Sequence, residues 1–159
     1  MNIEPSTEPG RPHQVPAITA ADLNRLGVRI KTLQHLLRAH ADGALAPIGA
    51  NLAVWSVLRG IRADPGASSS DLAREAFLTP QTIGGLLARM AGQGLIGRQP
   101  GHGRVVHTAL TPAGEDMLDA CDARVAAVMS RLTERFTPNR LAAFAEMIDD
   151  TISTFADPA

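Results

Sequence analysis

Apolar residues fall at Leu23, Leu26, Ile30, Leu33 and Leu37 in steps of 3, 4, 3 and 4, with Arg25, Arg29, Lys31 and Arg38 off the stripe. This spacing predicts a helix from Ile18 to about His40, its narrow seam suited to packing on another helix. Gly43 and Pro47 are expected to end it. A shorter helix follows over residues 51–62, with Leu52, Trp55, Leu58 and Ile61 on one face and Asp64-Pro65-Gly66 as its breaker. Ser69 or Ser70 is then expected to cap a helix through Ala76, with Asp71 favourably placed in its first turn.

Three later starts share one device. Thr79-Pro80, Thr111-Pro112 and Thr137-Pro138 each place a capping hydroxyl before a proline at the first helical position, where the missing N–H costs nothing. The helix after Thr79 carries Ile83, Leu86, Leu87 and Met90 inward and stops near Gly92-Gln93-Gly94. Two strand-like runs, Leu95–Gln99 and Val105–Leu110, flank a hairpin tip at Pro100-Gly101-His102-Gly103. Long helices follow, from Pro112 to about Arg135 (Met117, Cys121, Val125, Val128, Leu132) and from Pro138 to about Phe155 (Leu141, Phe144, Ile148, Ile152, Phe155). Helix, tight turn, helix and hairpin in this order outline a winged helix-turn-helix. The expected fold is mainly α, with a small β-hairpin wing and long N- and C-terminal dimerisation helices. Residues 1–17 are then a tail, 18–50 the N-terminal dimerisation helix and connector, 51–111 the winged module, and 112–159 the C-terminal dimerisation helices.

Charge changes the picture more than composition does. The 159 residues are 45% hydrophobic and 19% charged, as in a globular protein, with a formal net charge of −1. That charge is unevenly spread. Residues 51–111 hold six basic residues against three acidic ones, whereas residues 112–159 hold four against nine. A basic module beside acidic helices points towards a polyanion partner. No apolar run reaches the roughly 18 residues of a membrane span, so no membrane association is expected. The opening MNIEPSTEPGRPHQVP lacks a charged-then-apolar signal pattern and reads as a mobile tail. The single Cys121 fits a reducing compartment, and the expected location is the cytoplasm.

In a helix-turn-helix the second helix offers its N-terminal residues to base edges while the first crosses the backbone. Outward positions here are Pro80, Gln81, Thr82, Gly84 and Gly85, with Arg89 further along. Gln81 suits a bidentate contact to adenine, and Thr82 a base or phosphate. The Thr79 hydroxyl and the first-turn N–H groups suit a phosphate. Arg98 and Arg104 flank the hairpin tip, where a guanidinium can enter a narrow, negative minor groove. The candidate DNA-binding set is Ser69, Thr79, Pro80, Gln81, Thr82, Gly85, Arg89, Arg98, His102 and Arg104.

The stretch from Leu52 to Gly114 resembles the winged-helix core of the MarR family of bacterial transcription regulators. The residues carrying the likeness are NLAVWSVLRGI, SSSDLAREAFLTPQTIGGLLARMAGQGLIGRQP and GRVVHTALTPAG, above all G-L-I-x-R at Gly94–Arg98 and L-T-P-A-G at Leu110–Gly114. The resemblance implies an obligate homodimer joined by the first and last two helices, with a wing arginine, here Arg104, in the minor groove. It implies a ligand-responsive repressor on a near-palindromic site. Two positions depart from the family pattern. His102 stands where an aspartate often orients the wing arginine, as in one branch of the family. Gly84-Gly85 stands where Ser-Arg is common, at a cost of about 1 kcal/mol per glycine within a helix.

Other chemistry is poorly supported. Cys121 lies on an apolar stripe and reads as a packed thiol rather than a sensor. His35 and His40, five apart, are badly spaced for one helical face, and no Cys or Glu cluster joins them; neither a metal site nor a cofactor is expected. Gly101-His102-Gly103 is a hairpin tip, not a nucleotide loop. No catalytic set emerges, so the chain is not read as an enzyme. The family's effectors, often aromatic acids, bind where dimer helices meet the winged module; by position His35, His40 and Trp55 are the candidates for such a small aromatic ligand. The competing reading is a winged-helix protein-interaction module that has lost DNA readout.

Overall fold

The computed structural model describes residues 17–100 and 106–156, the side chains at 98–100, 106 and 107 excepted. The described elements are α1 (Ala20–Leu45), α2 (Leu52–Ala63), α3 (Ser69–Glu75), α4 (Pro80–Gly92), β1 (Ile96–Pro100), β2 (Val106–Leu110), α5 (Pro112–Met129) and α6 (Pro138–Ala156). By contacts the chain divides into one unit ending at His35 and another beginning at Leu36. No single described helix is long and apolar enough to cross a membrane.

Helix α1 outruns its expected end. Gly43 lies inside it, because a helical glycine weakens a helix without breaking it. Burial of Ala41 and Leu45 holds the last turn, and the Arg124 guanidinium donates to the Ala44 carbonyl at 3.1 Å. The α-helix stops at Leu45, two residues before Pro47, and one 3-10 turn, Ala46–Ile48, leads to Gly49, which adopts φ 73 and donates its N–H to the Ala46 carbonyl. Helix α2 begins on two side-chain acceptors: the Asn51 amide oxygen takes the Val54 N–H, and the Asp42 carboxylate takes the Leu52 N–H at 2.7 Å. Both satisfy amides that the first turn leaves unpaired.

The cap of α3 is Ser68, not Ser69 or Ser70. The reason is spacing: Asp71 sits three residues after Ser68, so hydroxyl and carboxylate reciprocally take each other's backbone N–H at 3.1 Å. Thr79 and Thr111 cap α4 and α5 as expected, accepting from Thr82 and Gly114 N–H. Helix α6 starts at Pro138. Helix α5 ends earlier than its periodicity predicts, passing at Ser130 into a 3-10 turn. There the Ser130 and Thr133 hydroxyls donate to the Ala127 and Ser130 carbonyls, competing with the helix ladder.

One core holds α2 to α5 together. Leu45, Val57, Leu58, Ile61, Leu72, Ile83, Met90, Leu118 and Cys121 are fully buried. Leu118, off the expected stripe, takes the centre of α5's contact, while Met117 and Val125 pack at the margin. Helix α2 meets α3, α5 and β2, so its buried arc is wider than one stripe and takes in Val54 and Val57. The strands pair antiparallel, with Ile96 opposite Leu110 and Arg98 opposite Thr108.

Candidate nucleic-acid interface

Helix α4 is split lengthwise. Ile83, Leu86 and Met90 are buried, whereas Pro80, Gln81, Thr82, Gly84, Gly85 and Arg89 are exposed. Gln81, Gly84 and Gly85 share one face, being spaced by three and four residues. Thr79 and Thr82 form a pair at its start: their hydroxyl oxygens lie 2.8 Å apart, and Thr79 Oγ1 also accepts the Thr82 N–H at 3.2 Å. One hydroxyl proton serves the pair, so one remains for an outside acceptor. Together with the positive end of the helix dipole, this gives the first turn of α4 an outward donor for an anion.

Ser69 is the first residue of α3 and is exposed. Beside it the Asp71 carboxylate is held below its ordinary pKa, first by the Ser68 hydroxyl and backbone and then by Arg74. Arg74 pairs with Asp71 at 2.5 Å. On the hairpin, Leu95 and Ile96 are buried and anchor the base of β1. The backbone of Arg98 is placed by its register with Thr108; its side chain, and all of His102 and Arg104, lie outside the described residues.

The three residues considered for a small ligand have separate environments. His40 lines an open groove of about 320 Å³ with Leu36, Leu37, Val128, Arg131 and Arg135 among its walls. Trp55 is not among those walls: its indole N–H donates to Asp122 at 2.7 Å, and the Arg59 guanidinium sits 5.0 Å above its ring. His35 is exposed on α1. Arg62 completes the cluster around Trp55, reaching Asp122 at 2.8 Å and Asp119 at 3.1 Å. Burial pushes the Asp122 carboxyl up, but hydrogen bonds from Trp55 and Arg62 and the charges of Arg62 and Arg59 outweigh it, so the net pKa is lowered. Neighbouring Cys121 is fully buried; burial and the Asp122 charge raise its thiol pKa against a smaller opposing effect of Arg124. Among the described residues, no three His, Cys, Asp or Glu side chains come together as a metal site.

The MarR family model matches residues 48–105. The chain is 30% identical over 131 residues to the HTH-type transcriptional repressor Rv2887 of Mycobacterium tuberculosis, covering 81% of this chain and 94% of that protein. The chain belongs to the MarR family. Two crystal structures of the same mycobacterial MarR protein superpose on it. The complex with p-aminosalicylic acid gives a TM-score of 0.70 at 29% identity, covering 79% of this chain and 97% of that one. The complex with DNA gives 0.67 at 28%, covering 79% and 96%.

Two features of this MarR chain escaped the sequence pattern. Asp42 and Asp122 bond across 10 and 67 residues, to the Leu52 N–H and the Trp55 indole, and no local spacing announces either partner. Phe77, in the turn between α3 and α4, adopts φ 53, a conformation that sequence assigns by default to glycine.

Proposed function

We propose that the chain is a homodimeric, ligand-responsive repressor of transcription that binds a near-palindromic duplex through α4 and the hairpin. The observation that carries this reading is the exposed first turn of α4, set on a buried Ile83–Leu86–Met90 face, in a chain similar over 79% of its length to a relative crystallised with DNA. Ser69, Thr79, Pro80, Gln81, Thr82, Gly85 and Arg89, with Arg98, His102 and Arg104 of the hairpin, form the proposed contact set. Half-sites would lie about one helical turn apart, roughly 10 base pairs.

Exposed apolar side chains support self-association. They include Leu23, Leu26, Ile30 and Leu33 on α1 and Met147, Ile148, Ile152 and Phe155 on α6. Stripes of this kind are what a second copy covers. The relative's complex with p-aminosalicylic acid supports a small aromatic acid as effector. His35, His40 and Trp55 remain the proposed contacts, and Arg131 and Arg135 beside His40 suit a carboxylate.

Fluorescence anisotropy on a labelled duplex from immediately upstream of the gene, against a shuffled duplex at several salt concentrations, tests the reading. Tight, salt-sensitive preference for the native duplex is expected, because arginine–phosphate contacts release counterions. Arg104→Ala should weaken binding and leave the sedimentation coefficient of the dimer unchanged. Equal, weak binding to both duplexes would favour the protein-interaction reading, to which the exposed Gly84-Gly85 pair lends support.

A further inference from the structure

Phe77 breaks two rules at once. Helix α3 closes with paired backbone bonds, Leu78 N–H to the Ala73 carbonyl at 2.8 Å and Phe77 N–H to the Arg74 carbonyl at 3.2 Å. That closure requires its penultimate residue to be left-handed, and Phe77 takes φ 53. Glycine is the usual occupant, because a Cβ there crowds the following carbonyl. Among the described residues, Phe77 alone among non-glycines has a positive φ. Burial does not compensate for the strain: the residue is 96% exposed, more than any other large apolar residue described. Glycine would serve the turn better and expose less apolar surface, so neither backbone nor packing among the described residues accounts for phenylalanine.

We propose that Phe77 is a DNA-contacting residue, its ring set against the duplex beside the first turn of α4. This rests on the DNA-binding reading above and adds a phenyl ring to a set whose other non-polar members are Pro80 and Gly85. Phe77 lies two residues before Thr79, whose hydroxyl caps α4. A ring exposed there can pack on a thymine methyl or a deoxyribose edge while the adjacent hydroxyls and amides take phosphate. A second copy of the chain is the poorer occupant. Its natural sites are the apolar stripes of α1 and α6, whereas along the chain Phe77 stands between half-buried Ala76 and Leu78, with exposed Glu75 and Thr79 beyond them. Local rules broken without internal compensation mark functional positions.

Phe77→Gly separates the possibilities when unfolding midpoint, sedimentation and duplex anisotropy are measured on the same full-length protein. The expected result is an unchanged or higher midpoint, an unchanged dimer, and operator affinity reduced roughly five- to tenfold, at the low end of what one direct bidentate base contact contributes. Affinity equal to wild type in the glycine variant overturns the assignment and leaves the DNA reading standing. So does a lowered midpoint, which would make the ring structural, or a shifted sedimentation coefficient, which would make it a protein contact. Failure of the wild-type protein to prefer any duplex would remove the DNA reading itself, and this assignment with it.

Discussion

The side-chain hydroxyl of Thr111 donates to the backbone carbonyl of Gly94 at 2.6 Å, tying the cap of α5 to the turn that closes α4. The Thr111 N–H donates to the Leu95 carbonyl at 3.0 Å, and its Oγ1 accepts the Gly114 N–H at 3.1 Å. Gly94 supplies the turn with φ 72, and a Cβ on Gly114 would collide with the Leu95 carbonyl. The L-T-P-A-G run is therefore a clasp between the base of the hairpin and the start of α5. A run of sequence telling of the family thus fixes the root of the hairpin.

Breaking the clasp should cost stability. Thr111→Val removes a helix cap and a side-chain hydrogen bond and should lower the unfolding free energy by about 1–2 kcal/mol. Gly114→Ala forces backbone apart and should cost about 1–3 kcal/mol, whereas Thr111→Ser should be much milder. Urea unfolding at fixed protein concentration measures all three. A neutral Gly114→Ala would mean that α5 and the hairpin base can separate freely.

Much of this architecture was legible because it is local. Thr-Pro pairs mark helix starts through neighbouring atoms, and Ile83, Leu86 and Met90 declare one buried face by spacing alone. The cap of α3 lies one or two residues before the Ser69 or Ser70 that the sequence suggests, because three consecutive serines compete and only the Asp71 side chain selects Ser68. The centre of α5 was misjudged because Leu118 and Met117 are both apolar, and the choice depends on what α2 presents to them. The proposed site divides likewise. The exposed turn of α4 follows from periodicity, while the Trp55–Asp122–Arg62 cluster joins residues 60 and 67 positions apart and left no pattern to read.

That cluster predicts a pH dependence. Asp122 has its pKa lowered in the folded chain, burial being outweighed by Trp55, Arg62 and Arg59. A depressed folded value contributes stability above the unfolded carboxylate pKa of about 4, and that stability is lost as pH falls through the folded value. Asp122→Asn should therefore be less stable than wild type near neutrality, by roughly 1 kcal/mol given partial exposure and screening. The gap should close in more acidic solution. Urea midpoints followed by Trp55 fluorescence from neutral to acidic pH check this. A gap that stays constant to the acid limit would assign the loss to shape rather than charge.

Gly84 and Gly85 present the opposite problem from Phe77. Both are exposed on α4, and a Cβ built on either meets nothing within 4 Å. Nothing among the described residues requires glycine there, and alanine should add about 1 kcal/mol at each position through helix propensity. Gly84→Ala, Gly85→Ala and the double variant should accordingly raise the unfolding midpoint. They share a face with Gln81, so if α4 is read by close approach of its backbone, each methyl holds the duplex away and operator affinity falls while stability rises. Anisotropy and urea unfolding on the same preparations give both signs. A double variant that is more stable and binds like wild type would mean that α4 keeps its distance from DNA. Sequence would then be read by Gln81 and the hairpin arginines, and the glycines would be a cost without a return.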